Sequence, residues 1–584
     1  MNSTVSLAKV YDPTTVTVAH LPSRTSSPGH LSNVNNDSTK QKRRGAFWMI
    51  FIALCVTVFL SALDMSMVPT ALPSIVADLD GESSFAWVGS AYTLAAAAWL
   101  PLSGALATAF GRQPIVIMAL VLFFLGSILS GEATNMSMLI AGRTVQGLGS
   151  GGIMAMSEIV VADLVPLKER GVFIGLTSLV WAFASAIGPP VGGAFAENIS
   201  WRWLFRINLP ITFVAFCLVV TFLRLKMPSG SITEKLRKVD WLGNALVAAS
   251  TCAVTIALTR GGVETPWTSA QTLVPLILGF IGLVLFLIYE SKWASEPTVP
   301  FDLLSNRTSV AGYLTTFFHS IVATTIIFYI PIFFQACFGV TPIQAGVDTF
   351  GLAFTIAPAA VVGGVSAVLA KRYVPQNWIG WIIITIGTGI LSLLRADTPT
   401  AKWVGFEIFL GVGVGIVWTS VKFPILAPLP VSRNASAMAL YMFSRIFAQT
   451  FGITIGSAVL QNELKTRLPA SFLAQFPAGV DVSVAAIPFI STLPEPLRFQ
   501  VQEAFADSMS TVWKVMLAFC FLGLLTALFL KEIELHGHTD ENWDLSSQDA
   551  STEMTIAPGS VPVQLNVNPS LEVELEKGAA STGP

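Results

Sequence analysis

The stretch Gly175–Gly193, GLTSLVWAFASAIGPPVGG, decides how the chain is read. Gly188, Pro189, Pro190, Gly192 and Gly193 close an apolar run at a point where a buried helix of a soluble domain would break. Proline removes a backbone donor and tilts the helix axis, while glycine lets a neighbouring backbone approach. In lipid the freed polar groups are met by packed helices, so a membrane helix can keep this sequence. The run therefore reads as a tight, bendable helix in a membrane bundle, with a plain structural kink at a helix end as the alternative.

Composition points the same way. Of 584 residues, 53% are hydrophobic and 12% charged, and the mean hydropathy is +0.67. A soluble domain carries about 25% charge, so most of this chain lies in lipid. The 33 basic and 35 acidic residues leave a net charge of −2, with the basic ones scattered between apolar runs, and no nucleic-acid surface is implied. Cys55, Cys217, Cys252, Cys337 and Cys520 form no close pair, and the histidines show no metal spacing. No disulfide framework and no metal centre are expected. The chain also lacks a Walker-type phosphate loop, clustered histidines and a nucleophile beside a base, so neither a cofactor nor enzyme chemistry is expected.

The apolar runs predict an all-α polytopic membrane protein of fourteen spans, roughly at 46–72, 85–107, 114–131, 136–160, 172–195, 203–223, 241–260, 270–290, 310–336, 345–370, 376–395, 403–425, 435–460 and 511–530. Residues 1–45 read as a disordered cytoplasmic tail and 531–584 as an acidic, Ser-rich one. Between them lie an N-terminal six-helix bundle at 46–223, a cytoplasmic loop with two additional helices at 224–300, and a C-terminal six-helix bundle at 301–530 with a long outward loop at 461–510. Lys42, Arg43 and Arg44 abut the first span, and Arg112, Lys168, Arg170, Lys235, Arg237, Lys371 and Arg372 fall in alternate loops. This bias places both ends of the chain inside.

Ionisable residues within the spans are the candidates for chemistry. Asp64, in the first span, costs several kcal/mol at that depth unless it faces a cavity or a partner, and is read as a proton or cation site. Arg143 and Gln146 on the fourth span must point into the bundle, and Glu158 lies at its inner end, as either a cavity carboxylate or a solvated interface residue. In the second half Gln335 and His319 are candidates to line a cavity for apolar cargo, with a satisfied buried histidine as the plainer reading of His319. Glu407 and Lys422 are expensive in lipid unless they line a cavity or reach an interface, and Arg445 lies deeper than either. The group Trp201, Arg202, Trp203, Asn208 and Pro210 reads chiefly as an interfacial anchor.

Three motifs in order, GALATAFGRQ at 104–113, GRTVQGLG at 142–149 and the GPPVGG ending at Gly193, resemble the signature of the major facilitator superfamily. The version is that of its fourteen-helix drug:proton antiporter branch, common among fungal toxin and multidrug exporters. The resemblance covers roughly Ala46 to Lys531 and extends to Asp64 with Ala71, Leu72 and Pro73, and to Arg445 with Gly452 and Gly456. It implies two six-helix bundles of inverted repeats around a midplane cavity, with the helix pair at 241–290 inserted between them. Arg143 would help couple proton movement to the conformational cycle. Gly104, Gly111 and Arg112 match the loop motif, in which a relay to Asp163 latches the outward-facing state. Thr108 replaces the usual acid, Ala105 a lysine-like residue and Gln113 a second basic residue, so a weakened latch is expected.

The implied function is proton-coupled export of amphipathic or hydrophobic organic compounds. The alternatives are uptake, a vacuolar carrier of basic amino acids or iron chelates, and a non-transporting receptor. The expected partners are a small amphipathic substrate, protons and the lipid bilayer, with the chain monomeric in the plasma membrane and no nucleic-acid partner.

Overall fold

The computed structural model describes residues 45–79, 86–225, 230–261, 265–294, 297–476 and 486–535, together with residues 228 and 482. The expected tails, 1–45 and 531–584, lie almost wholly outside the described residues, as does part of the expected loop at 461–510.

Fourteen helices are long and apolar enough to cross a membrane. They are α1 Gly45–Leu79, α2 Ala86–Phe110, α3 Arg112–Gly131, α4 Met136–Leu164, α5 Leu167–Asn198, α6 Asn208–Phe222, α7 Trp241–Arg260, α8 Ala270–Lys292, α9 Arg307–Phe333, α10 Phe350–Ala370, α11 Val374–Leu391, α12 Thr400–Ser420, α13 Asn434–Arg467 and α14 Leu497–Leu528. Short helical turns at Trp203–Arg206, Pro342–Asp348 and Lys422–Leu426 lead into or out of the spans. No strand occurs among the described residues.

Local chemistry sets the ends of these helices. Gly111, at φ 96°, turns α2 into α3 in a single residue, a conformation that a side chain would strain. The Asn135 side chain accepts from Met138 N at 2.9 Å and caps α4. Ser231 and Glu234 form a reciprocal capping box on the short helix Ile232–Arg237 ahead of α7.

α1, α2, α4, α5 and the Trp203–Arg206 turn share a core of Leu63, Met67, Ile75, Val88, Leu139, Ala184 and Phe205. The bundles meet where α5 runs along α10 and α2 along α13, and α7 bridges that second seam by packing on both α2 and α13. α8 packs chiefly on α7 and presents Ile277, Leu278, Ile281, Val284 and Leu285 outward, an apolar face that suits lipid.

Two expectations are corrected. The loop expected at 461–510 is shorter, because α13 continues to Arg467 and α14 starts at Leu497. Val501, Phe505 and Met509 are buried along the added turns. Arg498, Glu503 and Asp507 on the same turns lower the local hydropathy and hide them from a search for apolar runs. Trp201 is not an interfacial anchor. It is buried in the N-terminal core, and its indole N–H donates to Asp78 Oδ2 at 3.0 Å, whereas Trp203 is the exposed member of the pair.

Candidate transport site

The N-terminal bundle holds a buried charge cluster. Asp64 on α1 is fully buried, and Arg143 on α4 donates to its Oδ2 from NH1 at 2.7 Å. Gln146 Nε2 donates to Asp64 Oδ1 at 2.8 Å, and Asn208 Nδ2 donates to the same oxygen at 2.7 Å. Arg143 also donates to Gln146 Oε1 at 2.7 Å and from Nε to the Val88 carbonyl at 3.1 Å, and its guanidinium lies 4.2 Å from the Tyr92 ring centroid. Three side chains from two further helices thus hold the Asp64 carboxylate, which is the compensation that a buried charge demands.

The sequence put Asp64, Arg143 and Gln146 among the candidates but read Asn208 as part of an anchor. Its position two residues after the Trp203–Arg206 segment, opening α6, was the available signal. Tyr92 and Ser150 carried none, since a tyrosine in an alanine-rich span and a serine among glycines are ordinary packing residues.

Glycines on α4 let this cluster form. A Cβ at Gly147 would strike the Tyr92 backbone carbonyl, and one at Gly149 would meet the Ala119 carbonyl at 2.6 Å, so α4 sits close against α2 and α3.

In front of the cluster, between the bundles, lies a cavity of about 90 Å3. Tyr92, Ser150, Glu158 and Trp181 line it from the N-terminal half, and Trp418, Arg445 and Gln449 from the C-terminal half. Ser61 Oγ lies 2.5 Å from Ser150 Oγ, so the cavity wall is tied to the turn of α1 next to Asp64. Arg445 stacks on Trp418 with its guanidinium 3.6 Å from the ring centroid.

One end of the cavity is closed. Lys422 Nζ donates to Glu158 Oε1 at 2.6 Å across the two bundles, and Asn434 Nδ2 donates to the Ala162 carbonyl at 3.2 Å. Arg112 Nε donates to Asp163 Oδ2 at 2.9 Å, and Arg112 NH1 to the Ala107 carbonyl at 2.7 Å, both groups being buried. The loop-motif pair is therefore intact despite Thr108, whose hydroxyl donates to the Gly104 carbonyl at 3.1 Å. Ala105 and Thr108 line a second, mostly apolar cavity of about 390 Å3 between α2, α7, α8, α9 and α13. None of Asp64, Arg143, Glu158 or Arg445 lines that larger space, whereas Glu158 and Arg445 line the smaller one.

Other candidates fall elsewhere. His319 is buried and its Nε2 lies 3.1 Å from the Val414 carbonyl, edge-on to Trp381 and Trp418, so it backs the cavity wall without lining it. Gln335 sits in a π-helical turn, Phe334–Phe338, and donates to the Pro331 carbonyl at 3.3 Å, away from the cavity. Gly188, Pro189, Pro190, Gly192 and Gly193 stay within the continuous helix α5. A Cβ at Gly188 would strike the Ser66 hydroxyl on α1, and one at Gly193 would reach Ile343 at 3.2 Å in the other bundle. Glu407 on α12 is buried, and its carboxyl meets no described side-chain partner, the Leu352 backbone being the group that approaches it.

Two helical bundles meeting on a cavity backed by a buried ion pair define a multi-span membrane transporter. The chain belongs to the Major Facilitator Superfamily, which it matches over residues 54–453. It is 40% identical over 515 residues to the efflux pump FUS6 of Gibberella fujikuroi, covering 87% of this chain and 93% of that protein. It is 39% identical over 511 residues to the MFS-type efflux pump MMF1 of Pseudozyma antarctica, covering 86% and 94%. Among solved structures the proton:xylose symporter XylE superposes with a TM-score of 0.54 at 14% identity, over 85% of this chain and 99% of that one, a likeness of fold alone.

Proposed function

We propose that the protein exports amphipathic or hydrophobic organic compounds across the plasma membrane in exchange for protons, by alternating access, and acts as a monomer. The observation that carries this reading is the buried Asp64–Arg143 pair, 2.7 Å apart, directly behind the cavity wall. The efflux activity named for relatives about 40% identical supports the direction of transport.

In this reading a proton arriving on Asp64 neutralises the carboxylate and releases Arg143 from it. The guanidinium then leans on the Val88 carbonyl, Gln146 and the Tyr92 ring, so the cavity wall formed by Tyr92 and Ser150 shifts with the proton. Cargo bound against that wall is favoured in one protonation state and disfavoured in the other, which links the two equilibria. A volume of about 90 Å3 is well below the roughly 300–1,000 Å3 of a filled ligand pocket, so cargo enters only when the bundles part. The closed end carries the Arg112–Asp163 and Lys422–Glu158 pairs and is the end that the basic-residue bias assigns to the cytoplasm.

The test is efflux of lipophilic dyes and toxins from cells expressing the chain, with and without a proton uncoupler, beside Asp64→Asn and Arg143→Ala. Efflux should depend on the proton gradient and fall to background in both variants. Gradient-independent efflux, or accumulation of the compounds in expressing cells, would overturn the proposal.

A further inference from the structure

Counting charges around the central cavity leaves one unbalanced. Behind the wall, Asp64 is paired with Arg143 and held by two amide donors. On the wall, Glu158 is paired with the buried Lys422. Arg445 also lines the cavity, yet among the described residues its guanidinium makes no ion pair with a carboxylate. Its face is stacked on Trp418 at 3.6 Å, and stacking occupies the π face of a guanidinium while leaving its in-plane N–H groups to donate. The remaining walls are apolar or uncharged, with Met65, Met154, Trp181 and Met442 facing the same space as Gln449.

We infer that the cargo is an amphipathic organic anion, an apolar body bearing a carboxylate, enolate or phenolate, and that Arg445 is the residue that selects it. The inference rests on the transport reading given above and names the substrate class for the same cavity. An anion would complete the one charge lining the central cavity that lacks a counter-ion among the described residues, through charge-assisted hydrogen bonds that a guanidinium offers in a planar fork. A neutral cargo would offer the half-buried guanidinium no countercharge. A cationic cargo would meet Arg445 directly, and its only cavity carboxylate, Glu158, would first have to give up Lys422 and strand a buried ammonium. The aromatic and methionine walls suit a planar or irregular apolar body and impose little shape of their own.

The test uses three probes on one ring system, naphthalene-2-carboxylate, naphthalene-2-carboxamide and naphthalen-2-ylmethylamine. Binding to the purified full-length protein is measured by calorimetry, and proton-driven flux in proteoliposomes. The carboxylate should bind about tenfold more tightly than either of the others, a difference of one well-made polar contact. Arg445→Gln should bring the carboxylate to within about twofold of the amide, and Arg445→Lys, which keeps the charge but not the fork, should retain part of the preference. A thermal melt establishes that both variants are folded. Equal binding of the three probes, absence of carboxylate binding by folded protein, or a preference that survives in Arg445→Gln would overturn the inference. Selective carboxylate binding without flux would support the anion site and count against the exporter reading. Equal flux of all three would support the exporter and overturn the anion site.

Discussion

Lys422 and Glu158 stand on opposite bundles, 264 positions apart in sequence, with Nζ 2.6 Å from Oε1. The ammonium is buried, and the carboxylate keeps 15% of its side-chain surface exposed. The pair closes one end of the central cavity. Lys422→Gln leaves the carboxylate without its cation and should weaken this closure by about 1–3 kcal/mol, less than a fully buried pair because Glu158 retains some solvent. Alkylation of a cysteine placed at Ala162, buried at the same end, should speed up in Lys422→Gln and slow again in the exchanged pair Glu158→Lys with Lys422→Glu. Unchanged labelling in Lys422→Gln would show that the ion pair does not hold the bundles together.

Asp64→Ala strands Arg143 in a site where the carboxylate was its countercharge. Removal of one partner from a buried pair costs about 3–5 kcal/mol, and the thermal midpoint should fall accordingly. Asp64→Asn with Arg143→Gln removes both charges and keeps the hydrogen-bonding shape, so stability should largely return while efflux stays lost. Recovery of efflux in that double variant would separate the pair from the transport mechanism.

Backbone contact between α5 and α10 makes Gly171 and Gly364 intolerant of a methyl group. A Cβ at Gly171 would lie 3.0 Å from Gly364 Cα and closer still to the Gly364 carbonyl, and the reverse approach is equally tight. Gly364→Ala should destabilise by about 1–3 kcal/mol through overpacking. A Cβ at Gly405 on α12 would meet nothing within 4 Å, and Gly405→Ala should stabilise by about 0.5–1 kcal/mol. Thermal melts of the two variants should move in opposite directions.

Glu407 lies between α12 and α10, with its Oε2 in the path of a Cβ on Gly351 at 2.6 Å. Its buried carboxyl has no side-chain hydrogen-bond partner among the described residues and only the Leu352 backbone close by, so most of its acceptor capacity is unsatisfied. An apolar side chain of similar length removes that unsatisfied group, so Glu407→Met should raise the thermal midpoint by the equivalent of about 1–3 kcal/mol. A lowered midpoint would mean that the carboxyl is satisfied by a group that only the membrane-embedded protein acquires.

Asp78 lies on the last turn of α1, beyond the apolar part of the helix. Hydrogen bonds from Arg202 and then from Trp201 hold its carboxyl below the ordinary value. The sign follows from that depression. The stabilisation is fully present above an unfolded carboxylate value of about 4 and is lost as pH falls through the lower folded value. The thermal midpoints of the wild type and Asp78→Asn should differ at neutral pH and converge in acid. A constant difference across that range would remove Asp78 from the account.

The chain order of apolar runs was enough to place all fourteen helices, because a span is a local property of about 20 consecutive residues. Asp64, Arg143 and Gln146 were legible for a related reason, while the Arg112–Asp163 pair was expected from the family resemblance. A charge within a span must face protein, and the glycine-rich motifs marked the helices concerned. The extra turns of α14 were not legible, since Arg498, Glu503 and Asp507 mask a helix whose other face is buried.

What tertiary structure alone decided is which partner each polar residue meets. Asn208 reaches Asp64 across 144 positions, Lys422 reaches Glu158, Trp201 turns inward to Asp78, and Gln335 turns back to its own helix. A sequence shows that a polar side chain in lipid needs a partner. The choice of partner depends on the rotation of each helix about its axis, about 100° for every residue, and on how closely the glycine faces allow neighbours to approach. Those quantities are set by the packing of all the helices together, and that packing left Arg445 facing the cavity with no ion-pair partner among the described residues.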